Sequence, residues 1–311
     1  MVTLIEELAR SYGYIKYGPP IKGKVVLSCF DGISCGQVAL DRLGIKVDKY
    51  MASEVDKYAI QVSQANYPDI EQVGDICNLD PKDYKDIDLI LAGSPCQGFS
   101  FASNDKLNFN RPESKLFFEY IRLLDEIKPK YFLLENVIME HKHMKVINDY
   151  MEILPIRLNS NRVSAQNRDR FYWTNIPGIR KPKDKQIMLD DILENDVKHP
   201  VYSNIYGGYG KPPMIHKYKA PTLKVGGEPP FATLKEVDSN ASFNRKHLRL
   251  FTPTECEKLQ TVPINYTEGV SNAQRYKMLG NGWTISIIAH ILGNLKENPK
   301  PLGKIKQLKL I

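Results

Sequence analysis

Residues 87 to 100 read Ile-Asp-Leu-Ile-Leu-Ala-Gly-Ser-Pro-Cys-Gln-Gly-Phe-Ser. The apolar run Ile87 to Ala92 predicts a buried strand, and the small residues after it predict a loop that presents Cys96 at the strand's carboxyl end. Open α/β sheets bind their ligands at that edge. A cysteine after a proline, outside any CxxC spacing, suits a nucleophile better than a zinc ligand or a disulfide. A buried core thiol is the competing reading, because free cysteine is among the most buried residue types.

Upstream of that stretch, Lys24 to Phe30 reads as a strand and Gly36 to Leu43 as a helix. Val47 to Ser53 reads as a second strand, and Asp56 to Asn66 as a helix capped by Asp56. Short apolar runs recur at Val73 and at Tyr131-Phe132-Leu133-Leu134. A helix with apolar residues at Leu116, Phe117, Tyr120, Leu123, Leu124 and Ile127 separates the last two strands. This alternation predicts an α/β, Rossmann-like fold, a parallel sheet covered on both faces. Past Trp173 the character changes: Val201 to Phe231 is rich in Gly, Pro and Tyr and predicts short strands and loops. Helical patterning resumes at Thr252-Pro253-Thr254-Glu255, with an N-cap and a first-turn proline, and again from Trp283 to Leu295. The expected organisation is a catalytic body over 1–178, a small irregular lobe over 179–248, and a return to the body over 249–311.

With 311 residues and 42% hydrophobic content, the chain can fill one large core and an appended lobe. No apolar stretch approaches the roughly 20 residues of a membrane span. Acid at Glu6 and Glu7 comes too early for a secretory signal, so a cytoplasmic location is expected. Five scattered cysteines argue for a reducing compartment and offer no metal-ligand spacing. The net charge of +7 is compatible with nucleic acid without demanding it. Its distribution says more: eight basic and two acidic residues lie between Ile156 and Lys185, and five basic and one acidic from Lys296 onward. Such patches are the footprint expected for a phosphate backbone, or else a solvated lysine-rich surface.

Three successive strand ends carry ligand-binding chemistry. The turn Phe30-Asp31-Gly32-Ile33-Ser34-Cys35-Gly36 joins the first strand to the first helix and exposes backbone N–H groups. Glu54, followed by Val55, closes the second strand, where an acid can hold the hydroxyls of a ribose. Gly74-Asp75-Ile76 ends the third, placing Asp75 for an adenine amino group and Ile76 for its ring. Together these predict an adenosine pocket. A nicotinamide dinucleotide would want GxGxxG, and only Gly32 and Gly36 are present. Leu133-Leu134-Glu135-Asn136-Val137 puts a carboxylate at a fifth strand end, costly to bury unpaired, with a salt bridge to a nearby arginine as the plain alternative. In Gln166-Asn167-Arg168-Asp169-Arg170 the two arginines, two apart on an extended segment, point the same way and suit an anion or a carbonyl.

Pro-Cys-Gln at 95–97, Glu-Asn-Val at 135–137, Gln-x-Arg-x-Arg at 166–170 and Gly-Asn at 280–281 stand in the order found in DNA (cytosine-5) methyltransferases. Arg249-Leu250-Phe251-Thr252-Pro253, with Leu259-Gln260 and Pro263, is similar to the stretch before that family's last motif. The resemblance runs from Lys24 to Leu295 and lapses between Ile179 and His247, where the family has its variable target recognition domain. Phe30-Asp31-Gly32-Ile33, Ala52-Ser53-Glu54-Val55 and Leu116-Phe117-Phe118-Glu119 look closest to animal de novo methyltransferases and small bacterial and phage relatives.

The resemblance implies a fold of the class I S-adenosyl-L-methionine-dependent methyltransferases and a catalytic set of Cys96, Glu135, Arg168 and Arg170. Cys96 would add to carbon 6 of a flipped cytosine, Glu135 would bond ring nitrogen 3 and the amino group, Arg168 would favour the thiolate, and Arg170 would hold the 2-carbonyl. It implies S-adenosyl-L-methionine as cofactor, held by Phe30, Asp31, Gly32, Ile33, Glu54, Val55, Asp75, Ile76, Pro95, Leu116, Asn281, Gly282 and Trp283. The polar stretch Gln97 to Ser114 looks like a loop that closes over DNA, with Gln97 and Ser100 as backbone contacts and Lys211, Lys217, Lys219 and Lys224 on the recognition lobe. Expected partners are double-stranded DNA and, for a restriction-modification pair, an endonuclease encoded nearby; a monomer without metal or membrane attachment is expected. Two departures stand out: Ser34-Cys35 replaces a glycine pair, and Gly282-Trp283 replaces the usual Ser-Val. An RNA methyltransferase of the same fold is the nearest alternative, since a relative modifies transfer RNA with the same motifs. A non-catalytic DNA-binding homologue is a second.

Overall fold

Alternating side chains along the strands build two cores on one sheet. Among the residues described by the computed structural model (23–94, 112–194, 198–203, 214–224, 229–233 and 248–295), seven strands form this sheet. They are β1 (Lys24–Cys29), β2 (Val47–Ser53), β3 (Glu71–Gln72), β4 (Leu89–Gly93), β5 (Tyr131–Val137), β6 (Ile156–Asn159) and β7 (Asp169–Thr174), in the order β3-β2-β1-β4-β5-β7-β6. The first five pair in parallel. The expectation of a parallel sheet needs correcting at its far edge, where β7 runs antiparallel to both β5 and β6. Only residues 160–168 join β6 to β7. A parallel crossover takes a dozen or more residues, so the chain returns as a hairpin instead.

Helices cover both faces: α1 (Cys35–Arg42), α2 (Lys57–Asn66), α3 (Pro112–Ile127), α4 (His141–Met151), α5 (Pro253–Gln260), α6 (Asn272–Asn281) and α7 (Ile285–Leu292). Leu89 and Leu91 of β4, with Tyr131 and Leu133 of β5, pack with Val38 and Leu40 of α1, Val62 of α2 and Ile288 of α7. Ile90, Ala92, Phe132 and Leu134, one residue out of phase, pack on the other face with Phe117 and Leu124 of α3 and Ile147 of α4. This is the period-two alternation of a strand read by two layers. Each such side chain, fully buried, stabilises the fold by about 1.5–3 kcal/mol before entropy is counted.

Local signals place the helix ends. Asp56 accepts from the Tyr58 N–H at 3.0 Å and holds Lys277 Nζ at 2.6 Å. Thr252 and Glu255 form a reciprocal capping box at the start of α5. The helix expected from Trp283 starts only at Ile285. Gly282 is extended (φ −64, ψ 164), so Trp283 lies in a break between α6 and α7.

A second sheet, again among the described residues, has four antiparallel strands in the order β11-β10-β8-β9. These are β8 (Lys198–Ser203), β9 (Met214–His216), β10 (Phe231–Thr233) and β11 (Leu248–Leu250). Ala220 fastens this lobe to the body, donating to Ala165 O at 2.7 Å and accepting from the Asn167 N–H at 2.8 Å. Arg249 does the same at the return, with both Nη atoms 2.8 Å from the Glu255 carboxylate. No helix among the described residues is long and apolar enough to cross a membrane.

Candidate active site at the carboxyl ends of the central strands

Glu135 sits near the end of β5, opposite Gly93 of β4 on one side and Tyr172 of β7 on the other. It is 8% exposed, so its carboxylate must find partners or suffer desolvation. Arg170 supplies one: its Nε lies 2.8 Å from Glu135 Oε1. That N–H is not aimed at the oxygen, so the contact is coulombic more than a directed hydrogen bond. Trp283 supplies the other, its indole Nε1–H donating to Glu135 Oε2 at 3.2 Å. Asn136, the next residue, donates to Ser94 Oγ at 3.0 Å, tying β5 to a residue two positions before Cys96 in the chain. Asn136 was readable as part of the Glu-Asn-Val run, but its bond to Ser94 spans 42 residues and leaves no local signal.

Arg168 is 3% exposed, and its guanidinium donates to Leu223 O at 3.1 Å, Gly280 O at 3.2 Å and Gly282 O at 2.9 Å. Burial pushes its pKa down to about 9, with Arg170 adding repulsion and Glu135 opposing it, which leaves it charged at neutral pH. Of the anion or carbonyl that the spacing suited, the described partners of this cation are carbonyls. Its donors knit the second lobe and the α6–α7 break to β7. Gln260, also outside the expected set, joins the same knot through Leu279 O at 2.6 Å and Gly282 O at 3.1 Å.

At the first three strand ends, Phe30, Gly32 and Ser34 all have positive φ (56, 61 and 58), forming a tight turn of backbone N–H groups. A Cβ at Gly32 would meet nothing within 4 Å, so its requirement is conformational. Glu54 locks this turn: Oε2 accepts from the Gly32 N–H at 2.8 Å, and Oε1 from the N–H groups of Val55 and Asp56 at 2.7 and 2.8 Å. Val55 beside it is 70% exposed, an apolar surface next to an acid. Asp75 is partly buried and caps a short 3-10 turn through the Cys77 N–H. Leu116 is half-buried, Asn281 is exposed, and Phe30 and Gly32 are partly open.

Three of the expected ligand contacts have buried side chains. The side chains of Ile33 and Ile76 are 1% and 2% exposed and belong to the core, which leaves them only backbone to offer. The Asp31 carboxylate turns inward, accepting from Ser34 Oγ at 2.6 Å and Tyr50 OH at 2.7 Å. Burial raises its pKa above the ordinary carboxylate range, against the effect of its hydrogen bonds. A carboxyl whose folded pKa exceeds its unfolded one contributes stability that is fully present below the unfolded pKa and is lost as pH rises through the folded one. Asp31→Asn is therefore expected to flatten the decline of the unfolding midpoint across that interval; an unchanged decline by thermal melts would contradict this.

Of the lysines expected to meet DNA, Lys217 and Lys224 are exposed. Lys219 Nζ instead donates to Asn161 O at 2.8 Å, Ser164 O at 3.1 Å and Ile187 O, a structural clasp between the lobe and the β6–β7 connection. Pro95, Cys96, Gln97, Ser100 and Lys211 lie outside the described residues, as do the rest of the 95–111 stretch and the basic segment from Lys296 onward. Cys29, Cys35 and Cys256 are buried, Cys77 is exposed, and burial raises every one of these thiols, Cys35 to about 12. Among the described residues no cluster of His, Cys, Asp or Glu is arranged to hold a metal.

Comparison with known proteins gives a consistent result. The sequence model of the family described as C-5 cytosine-specific DNA methylase matches residues 25–206 and 188–297. The type II methyltransferase M1.ScrFI of Lactococcus lactis subsp. cremoris is 30% identical over 292 residues, covering 81% of this chain and 73% of that protein. M.NlaX of Neisseria lactamica is 28% identical over 307 residues, covering 87% and 96%. Among solved structures, an Entamoeba histolytica methyltransferase, EhMeth, superposes with a TM-score of 0.69 at 20% identity, covering 89% of this chain and all of its own (100%). A Spodoptera frugiperda DNMT2 mutant gives 0.65 at 22% identity, covering 88% and 99%.

Proposed function

Since this chain belongs to the C-5 cytosine-specific DNA methylase family and is a methyltransferase, we propose that it methylates carbon 5 of a cytosine flipped out of duplex DNA, with Cys96 as the covalent nucleophile and S-adenosyl-L-methionine as the methyl donor. The division into a body over 1–178 and 249–311 and a recognition lobe over 179–248 is part of the same reading. The observation that carries it is the carboxylate–guanidinium pair of Glu135 and Arg170, 2.8 Å apart at a strand end whose next residue, Asn136, is bonded to Ser94.

Carbon 5 of cytosine is a weak nucleophile until an electron pair is added at carbon 6. The Cys96 thiolate forms a bond to carbon 6, and the ring electrons move toward carbon 5. The Glu135 carboxyl donates its proton to ring nitrogen 3 and accepts from the exocyclic amine while this charge develops, and Arg170 donates to the 2-carbonyl. Once carbon 5 has gained the methyl that the bound cofactor would supply, transfer of its proton to a base and departure of the thiolate restore the aromatic ring. Cys29, Cys35 and Cys256 are buried and so not open to a base, while Cys96 follows the proline of the Pro-Cys-Gln run.

The residues at the first strand ends fit a nucleoside cofactor, because the open turn at Gly32, the acid Glu54 and the exposed apolar Val55 adjoin one another. When bound, S-adenosyl-L-methionine supplies the methyl as an electrophile. Glu54 has acceptor capacity left for ribose hydroxyls beyond its three backbone bonds. Asp75, Leu116, Asn281, Gly282 and Trp283 complete the wall, and Pro95 belongs to it by sequence.

A base inside a duplex is out of reach, and flipping it costs a few kcal/mol, offset by contacts along the backbone. Lys217 and Lys224 are the described lysines open to such contacts, with Lys211, Gln97 and Ser100 added by sequence. Removing one lysine–phosphate interaction is expected to reduce the slope of log affinity against log salt by about 0.9. Lys217→Ala and Lys224→Ala should show this reduction in titrations at several salt concentrations. Lys219→Met should leave the slope unchanged and lower stability by about 1–3 kcal/mol, because it strands backbone carbonyls. A reversed assignment would contradict the clasp. The type II names of the bacterial relatives support a restriction endonuclease as a biological partner. Incubation with genomic DNA and labelled cofactor, followed by bisulfite sequencing, tests the whole reading: methylated cytosines at a defined site are expected, and unmodified DNA would refute it.

A further inference from the structure

Trp283 reaches across two strand ends to the Glu135 carboxylate. Its side chain is 8% exposed, and its indole N–H is, among the described residues, the one directed hydrogen bond on that carboxylate. The indole passes over Gly93, where a Cβ would sit 2.8 Å from Nε1. Gly93 is also the residue opposite Glu135 in the β4–β5 register, so the absence of a side chain there opens the path between the two groups. The backbone behind the indole is fixed as well. Gly282 O accepts from Arg168 Nη2 at 2.9 Å and Gln260 Nε2 at 3.1 Å, and the Gly282 N–H donates to Met278 O at 2.7 Å. The Cys35 thiol lies 4.0 Å from Trp283 O. The two departures from the family pattern, Cys35 and Trp283, are therefore neighbours in one packed unit.

We propose that Trp283 is a positioning residue for Glu135: its N–H pins one carboxylate oxygen, and so the carboxylate plane, before the pyrimidine arrives. This rests on the catalytic reading of Glu135 given above. A carboxylate held by a flexible arginine alone would sample orientations that miss ring nitrogen 3, whereas a donor on a buried, braced indole removes that freedom in advance. The role is separate from lining the cofactor pocket, which needs the ring and not its N–H.

The test is Trp283→Phe, which keeps a ring and removes the donor, measured by steady-state and single-turnover methyl transfer on duplex DNA. The expected result is a fall in kcat of about 10- to 100-fold with KM for cofactor and DNA within about twofold. Gly93→Ala, which displaces the whole indole, should lower kcat similarly and in addition raise the cofactor KM. In a Glu135→Ala background the Trp283→Phe change should have no further effect on the residual rate, because its target is gone. Unchanged kcat, a loss confined to the cofactor KM, or full additivity with Glu135→Ala would each overturn the proposal. Wild-type kcat in Glu135→Ala alone would instead overturn the catalytic reading of Glu135, and the inference with it.

Discussion

Cys96→Ser is expected to lower methyl transfer by a factor on the order of 10⁴ or more while leaving duplex binding within a few-fold of the parent. The substitution changes one atom. A serine hydroxyl stays protonated at neutral pH and is a far poorer nucleophile toward a pyrimidine, so the electron pair never reaches carbon 6 and carbon 5 stays unreactive. Affinity depends on phosphate contacts and on accommodation of the flipped base, neither of which needs the sulfur. Labelled-methyl incorporation with a filter-binding control on the same oligonucleotide checks both halves. Activity within tenfold of the parent would remove Cys96 from the mechanism. Parallel loss of binding and activity would point to a misfolded loop, which Cys96→Ala distinguishes by its own melting curve.

Arg168→Met carries the second large effect, chiefly on the fold. Leu223 O in the second lobe and Gly280 O at the end of α6 depend on this one guanidinium, and Gly282 O in the α6–α7 break shares it with Gln260 Nε2. A methionine fills similar volume and donates nothing, so the first two acceptors are stranded and the third loses its shorter bond. The expected cost is about 3–5 kcal/mol, comparable to breaking a buried ion pair by removing one partner. Arg168→Lys should recover only part of it, since a point ammonium cannot serve carbonyls in three directions as a planar fork does. Urea unfolding of both variants tests this. A loss under about 1 kcal/mol for Arg168→Met would mean the clasp is not holding the lobes.

The parts of the fold that sequence made legible are those governed by neighbours along the chain. The strand Val47–Ser53 and the Asp56 cap were predictable because alternation and capping act within a few residues. The capping box at Thr252 and Glu255 belongs with them. The antiparallel turn of β7 was less legible, because it depends on how few residues separate it from β6. The candidate residues Glu135, Arg168 and Arg170 were readable as residue types in order, yet their partners were not. Trp283 meets Glu135 across 148 residues, and Arg168 meets Gly282 across 114. Lys219 shows the same limit from the other side: a lysine in a basic lobe reads as a phosphate contact until carbonyls from Asn161, Ser164 and Ile187 are seen around it. Ile33 and Ile76 likewise sit inside ligand-binding motifs while their side chains serve the core.

The central claim is a transient bond between Cys96 and a cytosine ring, and a duplex carrying 5-fluorocytosine at the methylated position tests it most directly. Fluorine cannot leave as the carbon 5 proton does, so with S-adenosyl-L-methionine present the account predicts a denaturation-stable protein–DNA adduct, mapped by peptide mass to Cys96 and absent in Cys96→Ser. Failure to trap an adduct on a site shown by bisulfite sequencing to be methylated, or an adduct mapping to another residue, would contradict it.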